Sequence, residues 1–174
     1  GFFEIDVSPM LFLQRTAMTH CDLMMFDFAQ SIVKIKDRQY LILLSEKILQ
    51  QMPYQPESTS VTTAAIDAFY AGQGVCQDHA HVFIAMCRAL QIPARYVSGY
   101  LYDQNQPHLA SHAWAEAFIE NEWYCFDISN QIFTPQNHIY VAVGRDYLDV
   151  APVRGVREQG GVESMMSVVQ VLAC

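Results

Sequence analysis

The sequence predicts an α+β domain in which helices come first and pack on an antiparallel β-sheet. Apolar residues of the first half step by three and four, as core-facing helices require, whereas β-prone runs collect in the second half. Two of those runs flank the short segment ENE and read as a hairpin. An apolar fraction of 52% with only 16% charged residues, over 174 residues, supplies enough material for one substantial core.

Residues 1–30 are irregular and apolar, and no regular element is expected there beyond a short extended stretch stopping at Pro9. From Asp37 to Gln51, the positions Leu41, Leu44, Ile48 and Met52 form one helical stripe that Pro53 ends. After the loop QPESTS, Thr62 or Thr63 is expected to cap a short helix through Ala65, Ile66 and Phe69 to Ala71. Gly72 and Gly74 then turn the chain. Cys76, Ala80, Phe83, Cys87 and Leu90 make the stripe of a second long helix that closes before Pro93. Strand character follows at Arg95–Tyr102, His112–Ile119, Trp123–Ile128, Ile139–Val143 and Met165–Leu172.

Charge and composition exclude several classes. Eighteen acidic against ten basic residues give a net charge of -8, which repels phosphate backbones and anionic lipid, so no nucleic-acid partner is expected. No apolar run reaches the roughly 20 residues of a membrane span, so no membrane insertion is expected. The five cysteines include no CxxC pair, which argues against a disulfide framework or a thiolate zinc site and makes a reducing, cytoplasmic location the expectation. Within DHAH, His79 and His81 are two apart on a helix and point to different faces, so no metal site is expected.

The stretch GQGVCQDHAH sets Cys76 directly after a glycine-rich turn and on the first turn of a helix. The partial positive charge at a helix N-terminus favours the thiolate, which is the nucleophilic form. The backbone N–H of Cys76 is also free to serve as one oxyanion donor, and Gln73 and Gln77 are neighbouring side-chain amides between which the sequence does not choose a second. A nucleophile further needs a base and a group that orients it. If the hairpin loop is even, pairing Ile119 with Glu122, then His112, Trp114, Glu116 and Phe118 share a face with Trp123, Cys125 and Asp127. His112 and Asp127 then become diagonal neighbours, and Trp114 is a core residue or, if the pocket reading holds, a wall that contacts substrate.

The strings GVCQDHAHVFIAMCRALQIPARYVSGYLY, SHAWAEAFIENEWYCFDISN and VAVGRDYLDVAPVRGV resemble the bacterial transglutaminase-like family, cysteine proteases within the wider transglutaminase superfamily. The resemblance runs from about Tyr54 to Val171, in three blocks in the family's order. It implies a papain-like transglutaminase core at 54–174, on which the N-terminal segment 1–53 packs. By matching motif it implies Cys76 as nucleophile, His112 as general base and Asp127 as the residue that orients the imidazole. His79 stands where the family more usually has an aromatic or aliphatic residue. The β-rich domain that usually precedes this core has no counterpart in the short N-terminal segment, so the chain is expected to be a fragment or a member lacking it.

The implied activity is acyl transfer on amide or peptide bonds through a thioester, without a cofactor and with a peptide or protein as substrate. Hydrolysis is favoured slightly over amine attack, which would make the protein a transglutaminase. A non-catalytic binding module on the same fold is the reading from another class, and its signature, a missing member of the trio, is not seen.

Overall fold

In a computed structural model, residues 7–106 and 110–151 are described. The expected helix–strand order holds: α1 (Leu23–Ile32), α2 (Arg38–Gln51), α3 (Ala65–Ala71) and α4 (Cys76–Ala89) precede β1 (Ala94–Leu101), β2 (Ser111–Ile119), β3 (Glu122–Phe126) and β4 (His138–Gly144), and the short α5 (Tyr147–Val150) follows. The four strands form one sheet in the order β3-β2-β1-β4, with every neighbouring pair antiparallel.

Helix α4 is the centre of the core. Twelve of its residues, Gln77 to Arg88, are buried, because it lies on β2 and β1 while α1, α2 and α3 close over it. Its apolar side chains join those of α2 (Leu41, Leu44, Ile48) and the inward residues of the sheet in one cluster. Burying each large side chain of this kind contributes roughly 1.5–3 kcal/mol against exposure.

Two local readings need correction. The segment before residue 30 is not irregular: it holds two 3-10 turns, Pro9–Leu13 and Ala17–Thr19, and then α1, capped by the Asp22 carboxylate on the Met25 N–H at 2.9 Å. Helix α1 escaped a periodicity reading because LMMFDFAQSI is apolar nearly all round, with Leu23 and Met24 exposed. Neither Thr62 nor Thr63 caps α3. Its cap is Ala64, and the threonine hydroxyls are engaged in the preceding turn, Thr63 Oγ1 accepting the Ser60 N–H at 3.1 Å and Thr62 Oγ1 bonding Ser60 Oγ at 2.8 Å. Directly after β4, Asp146 caps the short helix α5, and Arg145 pairs with Asp149 at 2.8 Å. The strand expected at Met165–Leu172 lies outside the described residues, as does Cys174.

The hairpin follows the expected register. Ile119 pairs with Glu122 and Phe118 with Trp123, around a two-residue loop, Glu120–Asn121, in which both residues have positive φ (53° and 64°). Positive φ at both loop positions is what a right-twisted two-residue hairpin requires.

Candidate active site

The turn into α4 is built around close backbone approach. Gly74 bridges Tyr54 in a short parallel contact, and its carbonyl accepts the Gln55 N–H at 2.9 Å. A Cβ on Gly74 would come within 2.7 Å of the Asp78 Cβ, so glycine is needed there. Asp78 reaches back to accept the Val75 N–H at 2.9 Å and the Thr59 hydroxyl, which locks the first turn of the helix. Cys76 is thereby held at the first helical position, half-buried, with its N–H outside the intrahelical ladder.

The hairpin brings His112 to the same place. Its Nε2–H donates to Asp127 Oδ2 at 2.8 Å, as the register anticipated, and Cys76 lies close enough to raise its pKa. With Nε2 committed to the carboxylate, Nδ1 is the nitrogen left for sulfur. Asp127 sits just past β3 in a turn closed by two backbone bonds with Ile132, at 2.9 and 3.1 Å. Its two oxygens divide their work. Oδ1 accepts the Asn130 N–H at 3.3 Å and shapes the turn; Oδ2 faces the imidazole.

Sequence reasoning missed two partners of this carboxylate. His138 Nε2 lies 2.9 Å and Asn130 Nδ2 3.1 Å from the same Oδ2. Nothing in the spacing of His138, at the start of the edge strand β4, marks it; only the sheet order carries it beside the hairpin.

The electrostatics follow from these contacts. Burial alone would lower the His112 pKa, but the hydrogen bonds and negative charges of Asp127 and Cys76 outweigh it and raise it to about 9. The imidazole is therefore protonated at neutral pH. Burial alone would raise the pKa of Asp127, whose carboxylate is fully buried; hydrogen bonds from His112, His138 and Asn130, with the charge of His112, hold it below the usual carboxylate range. The other described cysteines are driven away from the thiolate. Burial raises Cys21 to about 11, aided by Asp22, and Cys125 to about 12, aided by Glu116 and Asp127, while complete burial pushes Cys87 higher still.

Cys76 and His112 open together on a cavity of about 740 Å³ whose wall includes Tyr54, Tyr102, Gln136 and Asn137. The side chains expected to contact substrate lie elsewhere. Trp114 is fully buried with Val97 and Cys125, and backs the His112 ring at 5.7 Å between centroids, so it supports the imidazole from beneath. The Gln77 amide is engaged with the Val61 carbonyl at 3.0 Å, and Gln73 is exposed and does not line the cavity.

Metal-ligating atoms converge at one place among the described residues, where His112, Asp127 and His138 offer donors within 4.8 Å of one another. The Asn130 amide nitrogen also faces this cluster, 3.3 Å from His112 Nε2, and would oppose a cation there. The cluster is organised as N–H groups around one carboxylate oxygen. His79 and His81 diverge, as expected. His79 Nε2–H donates to the Met52 carbonyl and its Nδ1 meets Ser129 Oγ, both at 2.7 Å; His81 Nε2 accepts the Tyr147 N–H at 3.1 Å.

Comparison with known proteins agrees with this fold. The family profile of the transglutaminase-like superfamily matches residues 27–128. The chain belongs to that superfamily. An uncharacterized protein of Mycobacterium leprae is 32% identical over 166 residues, covering 91% of this chain and 59% of that protein. An uncharacterized protein of Mycobacterium tuberculosis is 35% identical over 137 residues, covering 72% of this chain and 44% of its own length. This superfamily member thus spans about half the length of the relatives it matches. Among solved structures, the putative cysteine protease of Cytophaga hutchinsonii superposes with a TM-score of 0.72 at 32% identity, over 84% of this chain and 51% of that one. The periplasmic domain of TgpA from Pseudomonas aeruginosa, at 22% identity, superposes with a TM-score of 0.55 over 73% of this chain and 51% of its own, and shares the fold.

Proposed function

We propose that the protein is a cysteine-dependent acyl-transfer enzyme acting on amide or peptide bonds, with hydrolysis as its main outcome. One observation carries the reading: a thiol at a helix start shares a cavity with an imidazole that in turn holds a buried carboxylate at 2.8 Å. Nucleophile, base and orienter are the three parts this chemistry requires.

The steps follow from the protonation states. The Cys76 thiolate, stabilised by the helix N-terminus and the His112 imidazolium, attacks the carbonyl carbon of a bound amide. The developing oxyanion accepts the Cys76 backbone N–H. As the C–N bond breaks, His112 gives its proton to the departing amine, leaving a thioester on Cys76 and a neutral imidazole. His112 then takes a proton from water, the resulting hydroxide attacks the thioester, and the acid departs as the thiolate is restored. Asp127 keeps the imidazole oriented and balances its charge in both half-reactions.

Hydrolysis is favoured over amine transfer because the cavity is open, with the residues from Asp103 to Gln106 exposed at its rim, so water reaches the thioester. The polar wall of tyrosines and carboxamides suits a peptide or protein segment. The test is to incubate the protein with an activated ester and with casein, trapping covalent adducts for mass spectrometry. An acyl group on Cys76 that turns over to free acid supports the reading; turnover without an adduct on Cys76, or incorporation of an added amine in preference to hydrolysis, overturns the corresponding part.

A further inference from the structure

The Asp127 carboxylate has more partners than the three-part mechanism uses. We infer that His138 is a positioning residue of the site, a second imidazole that holds the Asp127 carboxylate in place and shares its charge with His112. The inference deepens the proposed function and rests on it for the meaning of activity, but its geometry stands separately.

The direction of each hydrogen bond is fixed by its partners. The Gln136 backbone N–H donates to His138 Nδ1 at 3.3 Å, so that nitrogen is an acceptor, and Nε2 carries the hydrogen donated to Asp127 Oδ2 at 2.9 Å. The side chains of His138 and Asp127 are both fully buried, so water cannot replace this N–H. The ring is also clamped: its centroid lies 4.8 Å from that of Trp114, in a T-shaped contact. Trp114 in turn lies against the His112 ring, so one indole braces both imidazoles.

The sheet itself is adapted to this meeting. The pairing of β1 with β4 is irregular between Ser98 and Gly99, and a Cβ on Gly99 would lie 1.9 Å from the Ile139 carbonyl oxygen and 2.9 Å from the Trp114 ring. Glycine there allows β4 to approach closely enough for His138 to reach across to the hairpin.

A second N–H on the same oxygen has two opposed effects. It fixes Oδ2 in the position His112 needs, and it withdraws part of the charge that would otherwise stabilise the His112 imidazolium. The groups around His112 are Cys76 from α4, Asp127 and Asn130 from the turn after β3, and His138 from β4, with Asp103 on the cavity rim.

The experiment is a pH titration of the full chain with 15N-labelled histidine, in which long-range 1H–15N spectra report the tautomer and midpoint of each imidazole. It is run on the unsubstituted protein, His138→Phe and His138→Gln. Phenylalanine keeps a ring against Trp114 without a donor; glutamine restores an N–H. Three results are expected: His138 as the Nε2–H tautomer, a His112 midpoint raised by about half a pH unit in His138→Phe as Asp127 charge returns to it, and reversal of that rise in His138→Gln. Turnover should fall about tenfold in the Phe variant through a looser carboxylate, again with partial rescue by Gln. A His138 protonated on Nδ1, or a His112 midpoint unmoved or lowered in His138→Phe, overturns the inference. Should the Phe variant fail to fold, the tautomer in the unsubstituted protein and the midpoint in His138→Gln, expected unchanged, still decide it. Because the spectra read the imidazoles whether or not the protein turns over, an inactive but correctly coupled site would count against the proposed function and leave this inference standing.

Discussion

Cys76 and Cys87 stand on one stripe of α4, about three turns apart, and their environments could hardly be less alike. Cys76 has a helix N-terminus beneath it, a protonated imidazole beside it and a cavity in front of it. Cys87 is completely buried among apolar side chains, and its thiol is pushed far from ionisation. The helix that presents one thiol to a cavity buries the other as a small hydrophobe, so position on the helix and the surrounding groups, not residue type, set the difference.

The sharpest way to break that comparison is to exchange the two losses. Cys76→Ala should abolish turnover, by about 10⁴-fold or more, while changing stability by less than about 1 kcal/mol. Cys87→Ser should do the reverse: a hydroxyl in an apolar core costs about 1–3 kcal/mol in denaturant unfolding, with the rate of Cys76 alkylation by iodoacetamide preserved. Turnover surviving in the first variant, or lost in a folded Cys87→Ser, would reverse the assignment.

Asp127→Asn probes what supports the reactive end. An amide has one acceptor oxygen where the carboxylate has two, so its NH₂ must face either the Asn130 N–H or the imidazoles. Turnover should fall by up to about 10⁴, the loss seen for the equivalent change in the serine-protease template. Unfolding experiments should show a further loss of about 1–3 kcal/mol from unpaired buried groups.

A smaller effect is expected from Gly74→Ala, whose new methyl meets Asp78 and displaces the first turn of α4. Since about 1 Å of misplacement costs up to about a hundredfold, kcat/KM should drop between ten- and a hundredfold with the far end of the helix undisturbed. Hydrogen exchange confined to residues around Cys76 would verify that the damage is local.

The mildest test changes only pH. His112 is protonated below about 9, so the proton needed by the leaving amine is present at neutral pH and is lost as pH rises through that value. Hydrolysis of an amide substrate should decline above about pH 9, whereas Cys76 alkylation, which needs only the thiolate, should not. Parallel decline of both rates would instead point to loss of the folded site at high pH and count against His112 as the limiting group.

Local patterns made much of this legible in advance. The stripe of α4, its start at Cys76 and the diagonal relation of His112 to Asp127 follow from periods of 3.6 and 2, which sequence displays directly. Periodicity could not reveal α1, where apolar residues surround the helix and no face stands out. It also left Trp114 open between core and pocket wall: strand alternation puts it on the same face as His112, but only packing against Val97 and Cys125 shows that this part of the face is sealed from the cavity. Gln77 was misjudged for a related reason, because proximity to Cys76 in sequence says nothing of the Val61 carbonyl that engages its amide.

By itself, then, the sequence determined the elements whose registry is local: the helix that begins at Cys76, the turn that Gly74 permits, and the two-residue hairpin that aligns His112 with Asp127. Tertiary structure alone decided what meets across elements. It brought His138 from an edge strand to the same carboxylate oxygen, set Trp114 beneath the imidazoles, and buried Cys87 while leaving Cys76 on a cavity. The physical reason is that periodicity reports which way a side chain points along its own element, whereas a hydrogen bond between β4 and the turn after β3 depends on sheet order and a close approach at Gly99, which no single segment encodes.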